Sequence, residues 1–458
     1  MKTTFKSEKW NLFAQITILI FIAECTFGSS GRWLEIGPFS IRMVLFAISF
    51  IATLPAVFLK IKQLARNFQV IITVCFGIYL IICAVIGLNN GNSIKFIVAD
   101  ITSFMTLLLV PGFIAVMCNK KAISRAIDVV FLVSAVLAGI TIIIHFALAF
   151  MSNDAVTALN VWINHRYLGG LATLQTGLQR IYMRSQMFLQ VSIIYGVWKS
   201  GNCTGKKRIA VYLTQGIILF ACVLSYTRGF WLGLAVSTCM LLLIGVKYWK
   251  QFIKVATVML AMLVAFLGIS WCCYRSPAAA VEIVNRFDPD LIVISGINSD
   301  IDELPSLEDI SDQEKNDFAA VTLRAKTLFH LKERISQKPI FGNGLGENLD
   351  EIRKDGKTEY MYLDMTMKTG VVGTTLFVLT FFAFVIVQIQ CSIKRKKLSF
   401  PQNCWEDAQI RNRFLTAAYL GIAATSFLNP FLNNPMGIML LMLTVTAVYD
   451  EKQKSSEV

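Results

Sequence analysis

The stretch KIKQLARNFQVIITVCFGIYLIICAVIGLNN (Lys60–Asn90) opens on Lys60, Lys62 and Arg66, runs on through apolar residues without a charge, and closes on asparagines. About twenty such residues, rising 1.5 Å each as a helix, cross ~30 Å of hydrocarbon. A helix that is apolar all round, with cations at one end, is a membrane span. Outward from it in both directions the same pattern recurs about a dozen times. The spacing predicts helices over 10–27, 37–59, 69–88, 96–117, 126–150, 181–198, 208–226, 229–246, 252–273, 360–390, 412–429 and 434–449. The first run follows lysines as a secretory signal would, but removing it would invert the charge parity of every later connection, so it is read as a span.

Basic residues fall on every second connection. Lys2, Lys6 and Lys9 precede the first span, and Lys60, Lys62 and Arg66 follow the second. Lys120, Lys121 and Arg125 follow the fourth, Lys199, Lys206, Lys207 and Arg208 the sixth, Lys247, Lys250 and Lys254 the eighth, and Lys394 to Lys397 the tenth. Cations are retained on the cytoplasmic side. Both termini are therefore expected in the cytoplasm, and the long segment 274–359 outside it.

Composition agrees with one membrane domain. The 458 residues are 55% hydrophobic and 16% charged, with mean hydropathy +0.60, which excludes a soluble domain. The formal charge of +14 lies mostly in the expected cytoplasmic connections, where topology and anionic headgroups account for it, so no nucleic-acid partner is implied. The eleven cysteines lie mostly in apolar runs and form no C-x-x-C pair, which argues against a disulfide framework or a zinc site. The expected organisation is spans one to nine over 1–273, an extracytoplasmic loop over 274–359, and spans ten to twelve over 360–450. The loop carries an acidic block from Asp288 to Asp317 and an amphipathic helix over 317–337, ended by Pro339.

Ionisable groups near membrane depth are costly and hence functional candidates. Arg228, in SYTRGFWL (225–232), stands where two spans meet on the outer side, with too few polar residues between them for a loop. Its planar fork of donors suits phosphate oxygens. Arg180 and Arg184, in QRIYMRSQ, are expected one helical turn apart at the outer end of the sixth span. Arg324 lies on the loop helix ahead of a turn containing Gly342, Gly344 and Gly346, which lets the backbone turn tightly towards the tenth span or approach a ligand closely. Glu359 and Asp364 stand at the entrance of the tenth span, where a carboxylate can serve proton transfer, and Tyr360 and Tyr362 beside them offer sugar-stacking surface. Arg42 and Asp100, each within a span, are candidates for a structural ion pair. His145 reads as a core histidine. Asp288-Pro289-Asp290 has a D-x-D form but belongs to a generally acidic segment, so no metal is assigned to it.

Taken in order, SYTRGFWLGL, the Arg-bearing loop helix, KPIFGNGLG and YMYLDMTMKTGVVG resemble the bacterial O-antigen ligase and polymerase superfamily over residues 180–390. The resemblance implies an all-α polytopic bundle of GT-C type with a large extracytoplasmic loop between the ninth and tenth spans, in the bacterial plasma (inner) membrane. It implies a glycan on undecaprenyl diphosphate as donor, a glycan acceptor, neither metal nor other cofactor, and a chain-length regulator as a possible partner. Arg228 and Arg324 take the places of the arginines that contact the diphosphate. Where family members usually carry a histidine ahead of T-G-x-x-G, this chain has Glu359. That departure favours a repeat-unit polymerase of O-antigen or capsule over a ligase that transfers finished glycan. A flippase for lipid-linked sugars is the competing class; it needs polar groups through the full membrane depth, whereas these candidates gather at one rim.

Overall fold

The computed structural model describes residues 2–29, 31–36, 39–174, 176–244, 249–285, 326–349, 358–398 and 406–456. The first part of the chain forms α1 (Lys2–Phe27), a minimal hairpin of β1 (Glu35–Ile36) and β2 (Phe39–Ser40), α2 (Ile41–Leu59), α3 (Ile61–Leu64) and α4 (Phe68–Asn89). Then come α5 (Ile94–Phe104), a 3-10 turn (Met105–Leu109), α6 (Val110–Met117), α7 (Lys120–Leu148) and α8 (Asn153–His165). A second hairpin, β3 (Gly169–Thr173) and β4 (Gln179–Met183), leads into α9 (Met187–Gly201), α10 (Gly205–Val223), α11 (Arg228–Ile244), α12 (Trp249–Tyr274) and α13 (Ala278–Asn285). Residues 326–337 form α14, followed by α15 (Met361–Leu398), α16 (Glu406–Thr425) and α17 (Pro435–Ser456).

The apolar stretches read from the sequence are mostly helical, and among the described residues seven helical segments are long and apolar enough to cross a membrane: Glu8–Phe27, Ile41–Leu59, Phe68–Asn89, Ile94–Met117, Lys120–Leu148, Trp249–Tyr274 and Met361–Cys391. Several starts are set by side-chain caps. Ser40, Asn67, Asn119 and Ser152 accept from backbone N–H groups of the first turns of α2, α4, α7 and α8, satisfying donors that no helical carbonyl can reach. The sixth expected span begins later than its apolar run, because residues 179–183 pair as a strand with Gly169–Thr173 instead. Of the expected loop helix, 326–337 is helical; its first part, the acidic block and Arg324 lie outside the described residues.

The burial pattern is that of a bundle in lipid. α9 and the apolar part of α17 are buried nearly all round, whereas the outward faces of α2, α4, α7 and α12 expose large apolar side chains such as Phe58, Ile81, Leu132 and Leu260. Water would penalise that surface and hydrocarbon does not. Where lipid removes the hydrophobic drive between helices, small residues let backbones approach. Gly229 and Gly233 on α11 accordingly face Asn429 and Thr425, and Gly421 on α16 faces Ser237.

The ends of the bundle differ in chemistry. At one end Lys60 Nζ donates to the Ala115 carbonyl (2.7 Å), Arg411 Nη1 donates to the Lys120 carbonyl (3.1 Å), and Lys199 pairs with Asp128. Lys60, Lys120 and Lys199 belong to the set whose alternation defines the expected cytoplasmic side. The other end gathers the two hairpins, the α10–α11 turn and the α16–α17 connection.

Candidate functional site

The second hairpin is the platform. Its strands are short, but the connection around it is pinned from three sides. Ser29 Oγ, just past α1, donates to the Leu168 carbonyl at 2.6 Å, and Ile181 N–H donates to the Leu224 carbonyl at 3.3 Å. Glu282 on α13, almost fully buried, accepts from the Thr176 amide and hydroxyl. The Arg184 amide donates to the Leu168 carbonyl (3.0 Å), carrying the β3–β4 ladder one step beyond β4. Arg180 and Arg184 thus stand on and just after a strand, where the sequence predicts a helix; the even spacing keeps both on one side in extended chain as well.

Beside the platform lies a cavity of ≈ 570 Å³, within the about 300–1,000 Å³ usual for ligand pockets. Arg180, Arg184, Arg32 and Arg42 line it, together with Thr102 and Ser103 of α5, Thr227 and Phe230, and Asn429, Phe431, Asn433 and Asn434 of the α16–α17 connection. Among the described residues no carboxylate lines it. Arg42 is already neutralised: its Nε and Nη2 donate to both oxygens of Glu24 at 2.6 and 3.2 Å, with both side chains buried. The pair expected with Asp100 is therefore not formed.

Arg180 Nη2 reaches Thr227 Oγ1 at 3.5 Å and its guanidinium lies 5.3 Å from the Tyr182 ring centroid. Arg32 and Arg184 lie 5.4 and 5.8 Å from the centroid of one ring, Tyr167. A guanidinium stacked by its face turns its N–H edge outward, the geometry that suits planar or tetrahedral oxyanions.

Arg228 is the first residue of α11, directly after Thr227. The turn before it is as tight as the sequence implies. α10 ends at Val223, Ser225 Oγ donates to Cys222 O and accepts from the Thr227 amide, and Tyr226 takes φ +46° with its hydroxyl donating to the Ala279 carbonyl. Arg228 is half-buried and is not among the cavity-lining residues, although its neighbours Thr227 and Phe230 are. Glu359, half-buried at the head of α15, is not among them either.

The remaining candidates around Glu359 are taken up in packing. Tyr360 joins Leu331, Leu349 and Met367 in a small cluster that seats α14 on α15. Tyr362 donates to the Ala423 carbonyl (3.0 Å) and packs on Phe427, 4.5 Å between centroids. Asp364 is buried and paired with Lys368 one turn on at 3.1 Å, and Lys368 in turn lies 3.1 Å from Asp100 of α5. Asp100 Oδ2 also accepts from the Gly346 amide. The glycine turn closes against protein: a Cβ on Gly344 would fall on the Gly87 backbone of α4, and one on Gly342 would meet Gly370 and Lys368.

Sequence reasoning missed Arg32 and the asparagines. A single arginine in a short polar connection has no signature of its own, but the run NPFLNNP (429–435), with five polar or turn-forming side chains between two spans, was a usable signal. Asn434 in that run is partly a cap, accepting from the Met436 and Gly437 amides. No protein-family model and no curated protein matches the chain.

Proposed function

We propose that the protein is a membrane glycosyltransferase that extends a surface polysaccharide from repeat units carried on a polyprenyl diphosphate, undecaprenyl diphosphate by the resemblance described above. It has about twelve spans with both termini in the cytoplasm, and works at the extracytoplasmic leaflet of the plasma membrane. The observation that carries the reading is the cavity at the end away from Lys60, Lys120 and Lys199. It is lined by Arg180, Arg184, Arg32 and hydroxyl and amide groups, with no carboxylate among the described lining residues.

In the reaction, a hydroxyl oxygen of the acceptor glycan bonds to the anomeric carbon of the donor sugar. The bond from that carbon to the phosphate oxygen breaks, and the diphosphate leaves with the electron pair. Charge grows on the leaving group, so guanidinium groups already held at the cavity wall lower the barrier. Arg180 and Arg184 are assigned to that charge. Arg228 and Arg324 are the further diphosphate ligands implied by the resemblance, and Glu359 is the candidate acceptor of the hydroxyl proton. The amides of Asn429 and Asn433 suit sugar hydroxyls.

The test is a ladder of lengthening glycans from purified protein and lipid-diphosphate repeat units in detergent. Arg180→Ala and Arg228→Ala should each slow ladder formation by about 10²-fold, the cost of losing one donor to a developing anion. A ladder at the wild-type rate in both variants refutes the diphosphate assignment. A single product on another acceptor replaces polymerase by ligase.

A further inference from the structure

Of the arginines lining the cavity, Arg42 is paired with Glu24, and of the others Arg32 comes from a segment that sequence motifs do not mark. Arg32 sits in the exposed connection between α1 and α2, more than 130 residues ahead of the hairpin, yet its guanidinium lies on the same Tyr167 ring as Arg184. That meeting is built. Gly31 takes φ +85°, a Cβ there would strike the Arg42 side chain, and Ser29 ties this connection to Leu168, the residue after Tyr167. Tyr167 takes φ +54°, an uncommon conformation for a bulky residue, held by its amide donating to the Asn164 carbonyl at 3.0 Å.

Two like charges brought to one ring repel each other, and the cation–π attraction of each is modest. Both line one cavity, and an anion bound there offsets that repulsion. We propose that Arg32 and Arg184, ordered on Tyr167, form an oxyanion-binding pair that holds one phosphate of a diphosphate ester, with Arg180 and Thr227 of the same cavity taking the other. Tyr167 is a positioning residue. The inference rests on the proposed function only for the identity of the lipid; the anion site itself stands on the geometry.

The experiment uses the full chain in nanodiscs and two probes, geranyl diphosphate and inorganic pyrophosphate, with binding measured by calorimetry. Charge-assisted contacts of this kind are each worth about ten- to a hundredfold in affinity. Arg32→Gln should therefore weaken the tighter-binding probe at least tenfold, and Arg32→Lys less. Arg166→Gln, at the exposed end of α8 and outside the cavity lining, should leave binding unchanged. Melting curves and monodispersity establish that each variant is folded.

Tighter binding of geranyl diphosphate than of pyrophosphate assigns the site to a lipid headgroup; equal binding assigns it to a soluble diphosphate. The pair is supported in either case, provided that Arg32→Gln weakens binding. Wild-type affinity in Arg32→Gln, or no binding of either probe by the wild type, overturns the proposal. Diphosphate binding that depends on Arg32, in a protein that builds no glycan ladder, leaves the site standing and removes the polymerase.

Discussion

Lys368 illustrates how one buried charge can organise a site without touching it. Its ammonium lies between Asp364 of its own helix and Asp100 of α5, and is almost fully buried. Ala99, Thr102 and Ser103, on the same helix as Asp100, line the cavity, so this three-charge cluster helps to fix one cavity wall. Replacing Lys368 by Met would leave two carboxylates buried without their cation. Loss of one partner from a buried ion pair costs about 3–5 kcal/mol. Lys368→Met should thus lower the unfolding temperature in detergent far more than Asp364→Asn, which leaves the Lys368–Asp100 pair intact; equal melting curves for the two variants would contradict this account. The sequence marks Asp100 and Asp364 as costly at that depth, but spacing along the chain does not say which spans are neighbours. Hence Arg42, which pairs with Glu24, was matched to the wrong partner. Arg180 and Arg184 were legible because they share a short motif. Arg32 was not, because an arginine in a polar connection looks like any solvated cation until the fold brings it to Tyr167.

At the scale of elements, hydropathy made the helices readable and left the details of their ends to tertiary structure. The apolar run expected from residue 181 is divided between β4 and α9 because residues 169–173 are available to pair with it. The glycine turn after α14 shows a different limit. Gly342, Gly344 and Gly346 take φ of +75°, +89° and +80°, and Gly370 takes +64°, kinking α15 where the turn packs on it. The Leu345 amide donates to the Cys83 carbonyl of α4, and the Asn343 and Gly344 amides donate to the Met367 and Lys368 carbonyls of α15. The segment is a backbone wedge between two helices: the tight turn towards the tenth span is the use the sequence allows that is observed, and its close packing on α4 is an addition that spacing along the chain does not reveal. Gly344→Ala would drive a methyl group into the Gly87 backbone in a conformation that L-residues avoid. A loss of several kcal/mol follows, on the order of the largest single-site effects. Gly139 of α7 is the matched control: a Cβ there meets nothing within 4 Å, and alanine gains up to about 1 kcal/mol in helix propensity. Thermal unfolding should show Gly344→Ala well below wild type and Gly139→Ala at or above it. Parity between the two would mean that the wedge does not hold α4 and α15 together.

At the scale of the whole molecule, the separation of the two ends ties topology to chemistry. At one end Lys60 and Lys199, from the basic groups that recur after every second expected span, and Arg411 of α16 bond to carbonyls and a carboxylate of neighbouring helices. The arginines of the cavity occur at the opposite end, in connections poor in lysine. Retention of positive connections in the cytoplasm predicts that the first set faces inward and the cavity outward. A reporter enzyme that needs disulfides folds only outside the reducing cytoplasm. Fused after Thr204, in the connection that follows α9, it should be inactive; fused after Asn285, at the end of α13, it should be active. A cytoplasmic fluorescent reporter should give the reverse at both sites. The inverted result would turn Arg32, Arg180 and Arg184 towards the cytosol, where soluble nucleotides and phosphates, rather than an outer-leaflet lipid diphosphate, would be the anions available to them.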